Sequence, residues 1–438
     1  MFIKQWWFLK RMTRRLWFTA TLYCLFGIGA SLAAIWFAPY LPEDLPRTFG
    51  AESVDSILTI IASSMLAVTT FSLTTLVSAT TAAASSATPR ATSLLLEDRT
   101  AQRALSTFLG AFLFSLIGLI ALNTELYGER GRFLLFLATL IMVAFIVVTL
   151  LRWIDHLAGL GRVAETISRV EDVARRALDA HRRDPGLGAA AWSGPPEAAI
   201  GIFHPQVGYV QNLDMGSLNR LAEALKARIY VNRRPGSQCD PSRPVAYLVL
   251  EDTAQTLPDT AAATIHAAFA IGPRRSFDQD PRFGLITLSE IGSKALSPGI
   301  NDPGTAIDVL STLTRLLAQS PALSPAQSQS QSQSQSPTRA PEAKPVRFER
   351  IHLLPLTEDE LLDAAFMPIS RDGAGLVEVA LRLQKSLAAI AAQAESDLRV
   401  AARQMAELAH DRALASLTFE EDRQRLSREH KLLFPDLA

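Results

Sequence analysis

The stretch from residue 54 to residue 88 constrains the fold of this chain more than any other part of the sequence. It reads VDSILTIIASSMLAVTTFSLTTLVSATTAAASSAT, contains a single charge at Asp55, and is followed by Pro89 and Arg90. A helix of this length would be about 50 Å long, whereas the apolar core of a bilayer is about 30 Å thick. The stretch therefore predicts a membrane-spanning helix whose Ser- and Ala-rich end projects beyond the membrane.

Small, mostly hydroxylated residues recur along this helix in steps of three or four, which places them on one continuous face. The candidate pore-lining or helix-packing residues of this hydroxyl stripe are Ser56, Thr59, Ser63, Thr70, Thr74 and Ser78, and Ala67, Thr81 and Ser85 continue the same face. One interpretation is helix packing, because small residues let backbones approach closely, as is general in bilayers. The other is a water-filled path, because hydroxyls that face water need no protein partner.

Four segments are long and apolar enough to span a bilayer. They lie at about 16–38, 54–80, 104–123 and 133–151. Basic residues concentrate in the N-terminal arm, in the second loop and after the fourth segment, whereas the first loop has one Arg against three acidic residues. The positive-inside rule then predicts a multi-pass protein of a bacterial inner membrane with both termini in the cytoplasm.

The fold class predicted from these patterns is a membrane domain of four transmembrane helices followed by a mixed α/β cytoplasmic domain with a long C-terminal helix. The expected domains are a transmembrane domain (1–152), a connecting helix (153–183), a cytoplasmic α/β domain (197–318), a disordered low-complexity insertion (319–345) and the rest of the cytoplasmic domain (346–438). The insertion contains a run of Gln-Ser repeats and has too few apolar residues to fold. Its deletion is expected to leave membrane assembly intact.

Alternating and helical patterns place the elements of the cytoplasmic domain. The predicted strands are 207–212, 228–232, 245–250 and 346–354, and the predicted helices are 215–226, 259–271, 281–297 and 358–365. From Leu376 to Leu408, apolar residues recur in steps of three and four, which predicts one long helix that packs on its own domain or forms a coiled coil.

A polar loop within ALSPGINDPGTA is the best candidate for a ligand or ion site. Its residues are Ser297, Asn301, Asp302, Thr305 and Asp308. Oxygen-rich groups at a turn can bind a hard cation, and exposed N–H groups at a helix start can bind an anion. Helix capping by Asn301 or Asp302, with Pro303 in the first turn, accounts for the same residue types and is the expected role.

Other sequence features argue against several classes of function. The chain has 43 basic and 43 acidic residues, which gives no overall attraction to nucleic acid, and its two cysteines are too few for a cysteine metal site. No glycine-rich phosphate loop, His-Glu-x-x-His helix or Gly-x-Ser-x-Gly turn occurs, and the seven histidines lack ligand spacing. A catalytic function is therefore weakly supported by the sequence, which identifies no particular cofactor or metal.

Three segments resemble one bacterial family. ALSPGINDPGTA with the preceding SFDQDPRFGLITLSEIGSKALS, the membrane segment FSLTTLVSATTAAASSATPR, and GYVQNLDMGSLNRLAEALKARIYVNRRPG are similar to the predicted membrane proteins called domain of unknown function 2254. The chain departs from the family pattern at residues 88–92, where Ser-Pro-Arg-Leu-Leu is usual, and after Gly236, where an apolar strand is usual. The resemblance implies a membrane protein and brings no established chemistry.

Two functional hypotheses lead, and a hydrolytic enzyme is a third. In the first, the protein is a homo-oligomeric pore or transport-like protein in which the hydroxyl stripe lines the path and the cytoplasmic domain gates it. In the second, it is a membrane-anchored scaffold or sensor without transport or catalysis, whose cytoplasmic domain binds a protein or a small ligand. Both assign the lipid bilayer and copies of the chain as partners, and neither involves nucleic acid.

Overall fold

The structure is a computed structural model with two compact units, Met1–Thr166 and Ile167–Ala438. The described residues are 21, 25, 28–29, 54–91, 94, 98–123, 129–159, 161–194, 199–251, 258–318, 346–394 and 396–437. The predicted first span lies outside the described residues except for four helical positions, Thr21, Leu25, Ile28 and Gly29. The predicted disordered insertion also lies outside them.

The first unit, called the three-helix unit, contains α1 (Val54–Ser86), α2 (Arg99–Asn123) and α3 (Glu129–Gly159). Within the part of the chain that the structure describes, these three helices are long and apolar enough to cross a membrane. Leu58, Ile61 and Met65 of α1 are buried, and Ile61 and Met65 share a cluster with Phe108 of α2 and Trp153 of α3. Interdigitation of these large side chains holds the helices together.

The second unit, called the α/β unit, has the predicted mixed α/β region, followed by a set of C-terminal helices. Its strands are β1 (Ala189–Ala191), β2 (Ile200–Phe203), β3 (Gly208–Leu213), β4 (Ala227–Val231), β5 (Gln238–Cys239), β6 (Pro244–Leu250), β7 (Phe269–Gly272) and β8 (Phe348–Leu353). Its helices are α4 (Val163–Arg183), which begins just before the unit, α5 (Met215–Ala224), α6 (Asp259–Ala268), α7 (Pro281–Ala295), α8 (Pro303–Ala318), α9 (Glu358–Asp372), α10 (Val377–Gln393), α11 (Ser396–Ser416) and α12 (Glu420–Leu433).

Two sheets organise the first half of this unit. The five-stranded sheet has the order β1-β8-β4-β6-β2, with parallel pairing at β1-β8 and β8-β4 and antiparallel pairing elsewhere, and the three-stranded antiparallel sheet has the order β5-β3-β7. In β4, Ala227, Ile229 and Val231 are buried and alternate with more exposed residues. This period of two places one face of the sheet on a core that α5 completes with Leu218 and Ala222.

Helix α7 is the most buried of the helices in the second half, with ten of its 15 residues buried. It packs closely on α4, because a Cβ at Gly284 would overlap the backbone and Cβ of Ala174. Glycine is therefore required at the contact between these two helices.

Two predicted elements are wrong in part. Residues 269–271, predicted as the end of a helix, belong to β7, because Phe269 pairs with Leu213 and buries its ring in the core. The single long helix predicted from Leu376 onward is two helices, α10 and α11. Ala394 has an extended conformation, and the Arg399 side chain donates to the carbonyls of Ala391 and Ala394. These bonds satisfy carbonyls that a helix leaves unpaired at its end.

Candidate functional site

The hydroxyl stripe lies on the exposed face of α1. All nine stripe positions are exposed, including Ser56 and Ser78. The buried residues of α1, such as Leu58, Met65 and Leu76, lie on the opposite face, since successive residues of a helix are about 100° apart. The stripe is therefore directed away from the surface through which α1 packs on α2 and α3.

Hydroxyl groups along the stripe donate to carbonyls of their own helix. The Oγ1 atoms of Thr59, Thr70 and Thr74 donate to the residues four positions earlier, at 2.9 to 3.0 Å. The Ser63 hydroxyl donates to the Thr59 carbonyl at 3.0 Å. Back-bonding of this kind satisfies the hydroxyl hydrogen and leaves oxygen lone pairs directed outward. The hydroxyl oxygens at these stripe positions are therefore available as hydrogen-bond acceptors for any group that contacts the stripe.

The candidate loop at Asn301 and Asp302 forms the start of α8. The Asp302 carboxylate accepts hydrogen bonds from the Thr305 N–H at 3.0 Å and from the Thr305 hydroxyl at 2.6 Å. These bonds lower the pKa of Asp302 from its ordinary value, the side-chain bond from Thr305 being the largest cause. Asp302 thus acts as the N-terminal cap of α8.

The structure brings only two of the five candidate loop residues together by hydrogen bonding of their side chains, and these are Asp302 and Thr305. The Ser297 hydroxyl donates to the Lys294 carbonyl, and Asn301 has a φ of 50°, a left-handed conformation that asparagine tolerates. Asp308 is exposed on α8, nearly two turns beyond the cap. Among the described residues, no group of three or more His, Cys, Asp or Glu side chains could hold a metal ion.

A polar network that the sequence patterns did not indicate joins the three helices of the first unit. The Trp153 indole N–H of α3 donates to the Ser72 hydroxyl of α1 at 2.9 Å, and both residues are buried. One turn further along α3, His156 Nε2 lies 3.0 Å from Asp98 Oδ2. Asp98 also caps α2 by accepting from the Thr100 N–H at 2.6 Å.

This network was not predictable from local spacing, because its members come from three helices. A signal existed nonetheless. Consecutive spans joined by a short loop are antiparallel, so the beginning of α2 lies beside the end of α3, where Asp98 and His156 are found. His156 is half-buried and Asp98 is buried, and ionisable residues within membrane helices commonly mark functional positions.

Comparisons with known proteins place the chain in a family. An uncharacterized protein of Mycobacterium tuberculosis is 30% identical to it over 125 residues, which are 27% of this chain and 23% of that protein. An uncharacterized protein of Mycobacterium bovis matches to the same extent. The aligned part thus spans about a quarter of the length of these relatives. No solved structure matches the chain. A family model described as "Predicted membrane protein (DUF2254)" matches residues 13–389. The chain therefore belongs to this family of predicted membrane proteins.

Proposed function

We propose that the protein is a homo-oligomeric pore of the bacterial inner membrane in which the hydroxyl stripes of several α1 helices line a common path. The α/β unit lies in the cytoplasm, with both termini, and gates that path. The conducted species are water and small cations.

One observation carries this proposal, namely that the stripe is the face of α1 opposite its packing surface. A face of small residues that has no role in packing α1 on α2 and α3 is free to meet other copies of the chain. In a ring of copies, such faces would surround the central axis, while flanking apolar residues such as Leu66 and Phe71 would contact neighbouring helices or lipid.

The hydrogen bonding along the stripe favours cations over anions as the conducted species. Since the Thr59, Ser63, Thr70 and Thr74 hydroxyls donate to their own helix, the outward-directed atoms are acceptor oxygens. Oxygen acceptors can replace part of the hydration shell of a small cation. An anion would require donors in the same positions.

Cation flux through liposomes tests the proposal. The full chain is reconstituted, and its flux is compared with that of Thr70→Leu, which replaces a stripe hydroxyl by a larger apolar group. We expect Thr70→Leu to reduce flux at least about tenfold at equal oligomer size, because a dry constriction blocks hydrated ions. The matched control is Phe71→Leu, on the exposed flank of the same helix, which is expected to conduct like the wild type.

A different result would favour the membrane-anchored scaffold or sensor. If the wild type conducts no cation or anion between pH 5 and 8, the stripe does not line a path. If Thr70→Leu dissociates the oligomer while Phe71→Leu does not, the stripe is a packing face.

A further inference from the structure

A turn at residues 234–237 of the α/β unit lies beside a cluster of charged side chains. The Ser237 N–H donates to the Arg234 carbonyl at 3.0 Å, with Pro235 and Gly236 in the central positions. Gly236 has a φ of 87°, as the third residue of a type II turn requires. A Cβ at Gly236 would overlap the carboxylate of Asp280, so glycine lets the turn lie directly against that side chain. Turns normally lie at the surface, whereas Arg234, Pro235 and Gly236 are buried.

Two carboxylates of the cluster are already paired with arginines. Asp280, 1% exposed, caps α7 and receives the Arg275 guanidinium, whose Nε and Nη2 lie 2.7 and 2.6 Å from Oδ2. Glu360 of α9 lies 2.7 Å from Nη1 of Arg282. Each of these carboxylates therefore balances the positive charge of one guanidinium.

Arg234 is the third guanidinium of a cluster with two carboxylates, and none of the ion pairs among the described residues includes it. The residue is 6% exposed, its Nη2 makes only a long 3.4 Å hydrogen bond to the Pro185 carbonyl, and its Nη1 has no hydrogen-bond partner among the described residues. Burial, followed by the nearby charge of Arg282, lowers the pKa of Arg234 to about 10, so the side chain remains charged at neutral pH.

Within the described part of the chain, the other side chains near Arg234 do not supply the missing negative charge. His181 is kept neutral at pH 7, because burial and then Arg234 lower its pKa to about 4. Asp184 is paired with Arg347 at 2.8 Å and accepts from the Gly188 N–H. An unmatched buried charge is strongly unfavourable, and proteins normally pair it with an opposite charge.

We propose that this cluster, made of Arg234, Arg275, Asp280, Arg282 and Glu360, is a binding site for a small oxyanion, either a carboxylate or a phosphate, held by Arg234. The planar guanidinium matches both groups, and the start of α7 adds the positive end of a helix dipole. Arg282 and Glu360 form the exposed edge of the cluster, with side chains 17% and 44% exposed. The anion enters there and competes with Glu360 for the arginines.

Thermal unfolding of the full chain in detergent tests this site at pH 7, with sodium phosphate and sodium acetate as probes and sodium chloride at equal ionic strength as reference. We expect at least one oxyanion to raise the unfolding midpoint of the wild type by about 3 °C or more over chloride, since a ligand that binds only the folded state stabilises it. A response to phosphate alone assigns a phosphate site, a response to acetate alone assigns a carboxylate site, and responses to both assign a general oxyanion site.

Two variants and a control test the separate roles of Arg234 and Glu360. Arg234→Met should lose the response, and its midpoint in chloride should equal or exceed that of the wild type, because an unmatched buried charge is removed. Glu360→Gln, which keeps a residue suitable for the cap of α9, should lower the half-saturating anion concentration about fivefold. Arg243→Gln, at an exposed arginine, should respond like the wild type.

Three results would overturn the proposal. The first is a wild-type midpoint that is the same in chloride, phosphate and acetate. The second is an unchanged oxyanion response in Arg234→Met. The third, which applies even if Arg234→Met does not fold, is a half-saturating concentration in Glu360→Gln that equals or exceeds that of the wild type.

Discussion

Two histidines, the half-buried His181 and the buried His430, give the α/β unit its expected response to acid. His181 lies in the last turn of α4, where burial, followed by the charges of Arg234 and Arg182, lowers its pKa to about 4. His430 of α12 stacks on His410 with ring centroids 4.2 Å apart and binds Gln384 through Nδ1 at 2.9 Å. Burial, followed by the charge of His410, also lowers the pKa of His430. Both side chains favour the neutral form in the folded state.

The sign of the pH dependence follows from the lowered pKa of His181. The unfolded chain takes up a proton near pH 6.5, whereas the folded chain does so only near pH 4. The contribution of His181 to the free energy of unfolding is therefore fully present above about pH 6.5 and is lost as the pH falls from there toward 4. Between pH 7 and pH 5 we expect His181 to lower the free energy of unfolding by about 2 kcal/mol.

The variant His181→Gln tests this assignment in denaturant titrations of the full chain at pH 7 and pH 5. The loss of stability on acidification should be about 2 kcal/mol smaller in the variant than in the wild type. Equal losses in the two proteins would show that His181 does not carry the pH response.

At the scale of elements, substitution of the Asp302 cap tests whether the loop at residues 301–302 has a structural role at the start of α8. Asp302→Ala removes the acceptor for the Thr305 N–H and should destabilise the first turn of α8 by about 1 kcal/mol. Hydrogen exchange of amides in that turn should then be about fivefold faster, provided that exchange occurs through local opening. Asp308→Ala, an exposed control on the same helix, should leave these amides unchanged; acceleration of equal size in both variants would argue against the cap.

Local patterns predicted those elements whose own residues determine them. Strands β4 and β6 follow from alternating apolar residues, and the start of α8 follows from Asp302 and Pro303. Strand β7 was missed because its sequence, FAIG, continues an apolar helical pattern, and only pairing with β3 selects the extended form. The break between α10 and α11 was missed because Arg399 stabilises it from the following helix.

The candidate sites differ in how far the sequence could reveal them. The spacing of the hydroxyl stripe identified its members, but the direction in which it faces depends on which side of α1 contacts α2 and α3. The cluster around Arg234 was not predicted, since its residues come from three separate parts of the sequence, at 234, 275–282 and 360, which meet only in the folded α/β unit. Its one local signal was Arg-Pro-Gly, a sequence typical of a turn.

At the scale of the whole molecule, the central claim is that copies of α1 surround a water-filled path. This claim assigns different environments to two exposed faces of one helix. The stripe would contact water, whereas flanking apolar residues such as Leu73 would contact lipid or a neighbouring copy. The difference is measurable at single positions without knowledge of the physiological ion.

Accessibility of substituted cysteines to a membrane-impermeant thiol reagent tests this claim most directly. Cys24 and Cys239, the two native cysteines, are first replaced by Ser, and single cysteines are then introduced as Thr70→Cys and Leu73→Cys. In reconstituted protein of equal oligomer size, we predict that Thr70→Cys reacts at least about tenfold faster than Leu73→Cys, because the thiolate that reacts forms in water. Equal rates at the two positions, or no reaction at Thr70→Cys, would contradict a water-filled path along the stripe.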